Sequence, residues 1–326
     1  MAGILDREGQ WQWTLVGIAY GLLLRVVFGA FPGIFEVRAG VMSAAFLVGM
    51  PAVVGALTVY GGRKSPQSIG QMIFTPWFAV LFLMLGSAVT LLEGSICIAL
   101  MAPLFLGCAS IGGLAMGLAL RFVGNRTNLR AVTLLPFAMF AGEMHLPLTV
   151  SDFELRSSMR VHARPELVWA QILDARAIEP SELPFSLTHL IGVPRPVEGV
   201  NVITPDGEVR FSKWERGVNF KGKVIHRREN ETITWRYIFD ADSFPPGSMD
   251  DHVAIGGRYF NLRDTTFNLH RMAGNETRLE IVAHYSLSTA IDFYAVPMAQ
   301  MLGHDFARTI LTLYKRRSET TAAPSQ

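Results

Sequence analysis

The sequence predicts two architectures in one chain. Residues 1–150 read as an all-α transmembrane bundle of about five spans. Residues 151–318 read as an α+β domain, an antiparallel sheet wrapped on a long C-terminal helix, and residues 319–326 as a disordered polar tail. Three observations predict this. Residues 1–150 hold eight Lys/Arg and five Asp/Glu, against twenty-one and twenty-two in the remainder. Half of the 326 residues are hydrophobic and the mean hydropathy is +0.30. A charge-poor half joined to an ordinary half is a membrane block joined to a water-soluble one. From Val209 onward apolar and polar residues alternate, the period of a half-buried strand. The last long segment, 290–317, carries an apolar stripe of about seven helical turns.

A spanning helix needs about 20 predominantly apolar residues. Residues 13–31, 41–60, 75–92, 95–120 and 131–150 are the candidates. Trp11 and Trp13 mark an interfacial edge. The fifth candidate is the weakest, because Glu143, His145 and two prolines interrupt it. The N-terminus lacks a basic leader and a cleavage site, so the first span is expected to be retained. Arg63, Lys64, Arg121, Arg126 and Arg130 flank one side of the spans and only Arg38 the other, which puts the N-terminus inside. Five spans then place the C-terminal domain outside, in a periplasm-like compartment. If the fifth segment does not span, that domain is cytoplasmic, as Arg156, Arg160 and Arg164 favour. Arg25 lies mid-span and is expected to pair with Glu93 or Glu143. Glu143 and His145 are two apart and diverge on a helix, which weakens a joint ion path. Gly17/Gly21, Gly29/Gly33 and Gly113/Gly117 are spaced for close helix approach. Cys97 and Cys108 imply no disulfide framework.

In the C-terminal half, Met159, Val161 and Ala163 alternate with charged residues and lead into Pro165, which suits the first turn of a helix. That helix is predicted from Pro165 to about Ala177, with one or two short helices over 179–191. Strands are predicted from 209–214, then through Val218 to His226, 232–239, 258–271 and 278–287. Arg228-Glu229-Asn230-Glu231 and Ala273-Gly274-Asn275-Glu276 read as hairpin turns. Pro297 is expected to kink the closing helix. The Pro/Gly-rich segment 240–257 is a long loop suited to a lid.

This order of strand, short helices, antiparallel strands and one long helix resembles the START-like, or SRPBCC, superfamily. Val161 to Asp174 is similar to that family's opening strand and first helix, and Thr277 to Tyr285 to its last strand. The resemblance covers roughly 153–318. It implies a helix-grip fold with a cavity for an apolar ligand between sheet and helix. The candidate lining is Trp214, Trp235, Tyr237, Phe239, Phe260, Phe267, Tyr285, Tyr294, Met298 and Met301, in competition with ordinary core packing.

No Gly-rich phosphate loop, nucleophile elbow or HExxH motif occurs, and no catalytic residue, cofactor or metal is expected. Asp250-Asp251-His252 reads as a solvated turn, since adjacent residues rarely make a compact metal site alone. His304 and Asp305 point about 100° apart on a helix. His270 and His284, on adjacent predicted strands, are expected to be satisfied surface histidines. A net charge of +2 gives no footprint for nucleic acid. The expected partners are the lipid bilayer and a lipid or other hydrophobic small molecule. A polyketide cyclase or dehydratase, and a sensory or protein-docking module, are the alternatives.

Overall fold

A computed structural model describes residues 2–35, 40–122, 129–145, 150–250 and 253–322, with the side chains of 2–8 and 31–35 left out of the description. The chain divides into two compact units, residues 1–149 with 289–292, and 150–288 with 293–326.

The first unit is helical: α1 (Ala2–Phe35), α2 (Met50–Gly61), α3 (Ile69–Val89), α4 (Ser95–Phe122) and α5 (Leu129–Glu143). Three stretches are long and apolar enough to cross a membrane: Gly9–Ala30, Ile69–Val89 and Ser95–Phe122. Five spans are not seen among the described residues. The second candidate is broken into a 3₁₀ turn (Gly40–Met42), a π-helical turn (Ala45–Gly49) and α2, and its continuous apolar part, Ala45–Gly61, is shorter than the three spans. The fifth, α5, has 15 residues, a rise of about 22 Å against a hydrocarbon core of about 30 Å. Ser68 and Gln71 form a reciprocal capping box that starts α3.

Small residues set the helix crossings. A Cβ on Gly55 would strike the Ala109 backbone, and one on Gly112 the Ala52 backbone, so α2 and α4 touch backbone to backbone. Gly113 and Gly117 meet Met72 of α3. Arg25 pairs with the Glu93 carboxylate and donates to the Leu92 carbonyl at 2.6 Å. Glu143 instead accepts from the backbone N–H groups of Ala44 and Ala45, at 2.9 and 3.1 Å. It caps the broken second segment, while His145 is exposed beyond the end of α5. Cys97 and Cys108 are buried and not disulfide-bonded.

The second unit is one curled eight-stranded antiparallel sheet with a long C-terminal helix, the helix-grip arrangement. Its strands are β1 (Val150–Val161), β2 (Asp174–Ala175), β3 (Pro196–Thr204), β4 (Gly207–Trp214), β5 (Asn219–Arg228), β6 (Thr232–Ile238), β7 (Phe260–Met272) and β8 (Glu276–Ser288). Their spatial order is β1-β8-β7-β6-β5-β4-β3-β2. Helix α6 (Pro165–Leu173) follows β1, α7 (Leu187–Leu190) precedes β3, and α8 (Asp292–Ala322) closes the chain.

Four boundaries differ from the sequence reading. β1 is twelve residues long and pairs with β8 from Val150↔Ser288 to Val161↔Thr277, so the strand begins where a fifth span was expected to end. α6 stops at Leu173. β3 was not anticipated; its Pro196, Gly199 and Asn201 blur the alternation, and pairing with β4 decides its state. Thr204-Pro205-Asp206-Gly207, a turn sequence with a mechanism, marks that hairpin. Finally, α8 runs through Ala322 with Ser318 fully buried, so the expected tail is helical as far as it is described.

The two predicted hairpin turns carry left-handed residues, Asn230 (φ 60°) in one, Gly274 (φ 74°) and Asn275 (φ 58°) in the other. The core joins the inner face of the sheet to α8. Leu155, Ile233, Trp235, Phe267, Leu279 and Ile281 pack with Ala307, Leu311, Leu313 and Tyr314. Gly303 brings the helix close, for a Cβ there would lie 2.8 Å from a Leu155 methyl.

Candidate functional site

Side chains two apart on a strand share a face, so β6 sends Ile233, Trp235 and Tyr237 inward, with Phe239 following, and Arg236 and Ile238 outward. β4 sends Arg210, Ser212 and Trp214 inward, and β5 adds Phe220. The inner face thus carries two groups of rings. In the first, Trp235 lies edge-on to Phe267 at 5.4 Å, and Phe267 edge-on to Tyr314 at 5.6 Å. All three are 4% exposed or less.

The second group is a gallery. Trp214 contacts Phe220 and Phe306, each at 5.2 Å, and Phe220 contacts Tyr237 at 5.6 Å and Phe239 at 5.7 Å. Phe244 of the 240–257 loop adds to Phe239 at 5.8 Å. Trp214, Tyr237, Phe239 and Phe306 keep accessible surface although they face inward. Burial nevertheless pushes the Tyr237 hydroxyl pKa up, against the lowering influence of a Thr265 hydrogen bond and the Arg210 charge.

The loop is fastened over this end. Ser243 and Ser248 are buried, the Asn219 N–H donates to the Ser243 carbonyl at 3.0 Å, and Arg216 donates to the Gly192 and Ser248 carbonyls at 3.0 and 3.3 Å. Gly256 (φ 77°) lies against the Phe239 ring, where a Cβ has no room. Asp251 and His252 lie outside the described residues. Among the described residues no three His, Cys, Asp or Glu side chains form a metal-holding group.

Helix α7 is tied to α8 by a carboxylate. Asp305 accepts from the Ser186 hydroxyl at 2.5 Å and from the Thr188 N–H and hydroxyl, both at 2.9 Å. Burial alone would raise its pKa, but these bonds and Arg308 hold it below the ordinary aspartate value. His304 is exposed, so neighbours in sequence part company on the helix. The tie places His189 edge-on to Phe306 at 5.9 Å. Its Nδ1 lies 3.0 Å from the Val193 carbonyl, and burial, with the nearby Arg195 charge, lowers its pKa.

Arg210 is a buried cation at the closed end. It donates to the Ile172 carbonyl at 2.6 Å, Asn201 Oδ1 at 3.1 Å and the Tyr314 hydroxyl at 3.0 Å, and sits 4.8 Å over Trp235. Because Ile172 is in the last turn of α6, this guanidinium also meets the negative end of a helix dipole.

The ten expected lining residues therefore separate. Trp214, Tyr237 and Phe239 belong to the gallery, Trp235 and Phe267 to the packed core. Tyr285 forms a third group with Phe260 at 5.8 Å and Phe153 at 5.6 Å. Tyr294 and Met298 are half-buried on α8, while Met301 is 46% exposed. His284 faces Asp264 and Glu154 at 2.6 and 3.3 Å, and His270 stands opposite Arg278, so the two histidines do not meet. Sequence reading passed over His189 and Arg210. The inward alternation Arg210-Ser212-Trp214 signals the second; nothing periodic signals the first. A polar surface groove of about 380 Å³, lined by Gln171, Glu182, Arg316, Arg317, Thr320 and Thr321, is separate from the gallery and holds the Arg317–Glu182 ion pair.

No family model matches the chain and no curated protein matches it. Solved structures resemble its C-terminal half. A START superfamily protein from Mycobacterium smegmatis is 14% identical, covering 52% of this chain and 98% of its own, with a TM-score of 0.34. The Zhui aromatase/cyclase from a Streptomyces species is 11% identical over 53% and 98%, TM-score 0.34. Norcoclaurine synthase from Thalictrum flavum is 11% identical over 56% and 99%, TM-score 0.32. At such values these neighbours assign no activity, and the functional reading rests on the site itself.

Proposed function

We propose that this chain is a multi-pass protein of the cell membrane whose C-terminal START-like domain binds a hydrophobic small molecule at the bilayer surface. The observation that carries the reading is the gallery: four inward-facing rings, joined through the buried Phe220, that retain accessible surface beside a core whose rings do not. Ligand sites are mostly apolar and concave with a few placed polar groups, and Tyr237 and His189 supply those. The apolar helices of the first unit would hold the domain near lipid. The domain is read as lying on the outer, periplasm-like side, which a C-terminal reporter fusion tests.

Calorimetric titration of the full chain in nanodiscs with a neutral aromatic probe, against empty nanodiscs, tests the binding. Saturable heat that Trp214→Ala weakens about tenfold is the expected result. Heat no different from empty nanodiscs sinks the proposal. A catalytic version, a cyclase or dehydratase acting on a polyketide-like substrate, draws on the lowered pKa of His189, since perturbed titratable groups gather at active sites.

A further inference from the structure

His189 leaves one hydrogen-bonding demand unmet. Its Nδ1 faces a carbonyl oxygen, which can only accept, so in the neutral imidazole Nδ1 carries the proton and Nε2 carries the lone pair. Nε2 is buried and has no hydrogen-bond partner. A buried acceptor left without a donor is destabilising, so each one in a folded protein calls for an explanation, and a ligand that supplies the donor is one. Burial disfavours the charged ring, which keeps that lone pair in place at neutral pH.

The surroundings narrow the donor. The ring stands against Phe306, and Phe306 against Trp214, which leads to Phe220, Tyr237 and Phe239. Flat π-faces favour an offset-stacked or edge-on ring. An ionised carboxylate has acceptors only and cannot satisfy Nε2, and a bare hydrocarbon offers no donor. We infer that His189 Nε2 accepts a hydrogen bond from a hydroxyl of the gallery's ligand, and that the ligand is a neutral hydroxylated ring compound, a phenol or a ring alcohol. The inference rests on the reading that the gallery binds a ligand. The position is fixed from outside the gallery, because Asp305 holds Ser186, the N-cap of α7, and Thr188, the residue before the histidine.

The test uses the full chain in nanodiscs and three probes of one ring system: 2-naphthol, naphthalene and 2-naphthoate. Wild-type protein is expected to bind 2-naphthol about tenfold tighter than naphthalene, and 2-naphthoate weakest. His189→Asn keeps an amide N–H near the Nδ1 position for Val193 and deletes Nε2. In it the naphthol-to-naphthalene affinity ratio falls from about ten to about one. Nitrogen NMR of imidazole-labelled wild-type protein gives a readout independent of any variant: the His189 Nε2 resonance shifts with 2-naphthol and not with naphthalene. Equal wild-type affinity for naphthol and naphthalene overturns the assignment, as does a naphthol advantage that survives His189→Asn or an equal loss for both probes. Tightest binding of 2-naphthoate overturns the ligand class. If none of the three binds, the ligand-binding reading itself fails, an outcome distinct from binding without the hydroxyl preference.

Discussion

At one end of the sheet–helix interior Trp235, Phe267 and Tyr314 interlock and are sealed from solvent; at the other the pairs Trp214–Phe306 and Tyr237–Phe239 are joined through Phe220 and still keep accessible surface. The residue types are the same. What differs is the enclosing structure. The closed end is walled by paired strands and the second half of α8, with Arg210 crossing beneath it to Ile172, Asn201 and Tyr314. The open end is covered by α7 and the described residues of the 240–257 loop, through His189, Phe244 and Gly256. Regular elements pack to near-crystalline density, whereas loops with few apolar contacts open locally at lower free energy. Aromatic residues therefore build a core where strands surround them and a gallery where loops do.

Substitutions can break that contrast. The largest effect is expected from Trp235→Ala, which empties a fully buried site and costs about 3–5 kcal/mol, read as a fall in unfolding midpoint of the purified chain. Trp214→Ala at the open end should cost clearly less stability while removing most probe binding. If both variants lose stability equally, the gallery is ordinary core. Arg210→Met is next, at about 2 kcal/mol, because the Ile172 carbonyl, Asn201 and Tyr314 lose a charged donor. Probe affinity should fall less than in Trp214→Ala, since the Arg210 hydrogen bonds lie at the closed end and only its charge reaches Tyr237.

The smallest effect concerns pH. Asp305 has a folded-state pKa below its unfolded value near 3.9. Its contribution to stability is therefore present above that unfolded value and lost as pH falls through the folded one. Asp305→Asn should cost about 1–2 kcal/mol at neutral pH and flatten the acid limb of a stability–pH curve. His189 acts with the same slope for a different reason: its lowered pKa means the unfolded chain takes up protons first, so stability also declines as pH drops below about 6.5. An acid limb unchanged in both Asp305→Asn and His189→Asn would show that the α7–α8 tie is not built as described.

Much of this was readable in order of residues. The alternation through Val218 to His226, 232–239 and 278–287 located β5, β6 and β8, and the 290–317 stripe located α8, because both periods arise from local geometry. The Arg25–Glu93 pair was also among the expected pairings, since a mid-span cation has few partners to choose from. The failures were of another kind. Hydropathy counted residues 41–60 and 131–150 as spans, yet it does not see that the continuous apolar helix of the first runs only from Ala45 to Gly61 or that α5 ends after 15 residues.

Composition and periodicity, then, determined by themselves that this chain joins an apolar helical unit to an antiparallel sheet with a long closing helix. Only tertiary structure decided which aromatic residues pack and which stay reachable, because that depends on whether strands or loops lie across from them. It alone placed His189, which sits in a four-residue helix too short to show a period and is held in position by a carboxylate more than a hundred residues away.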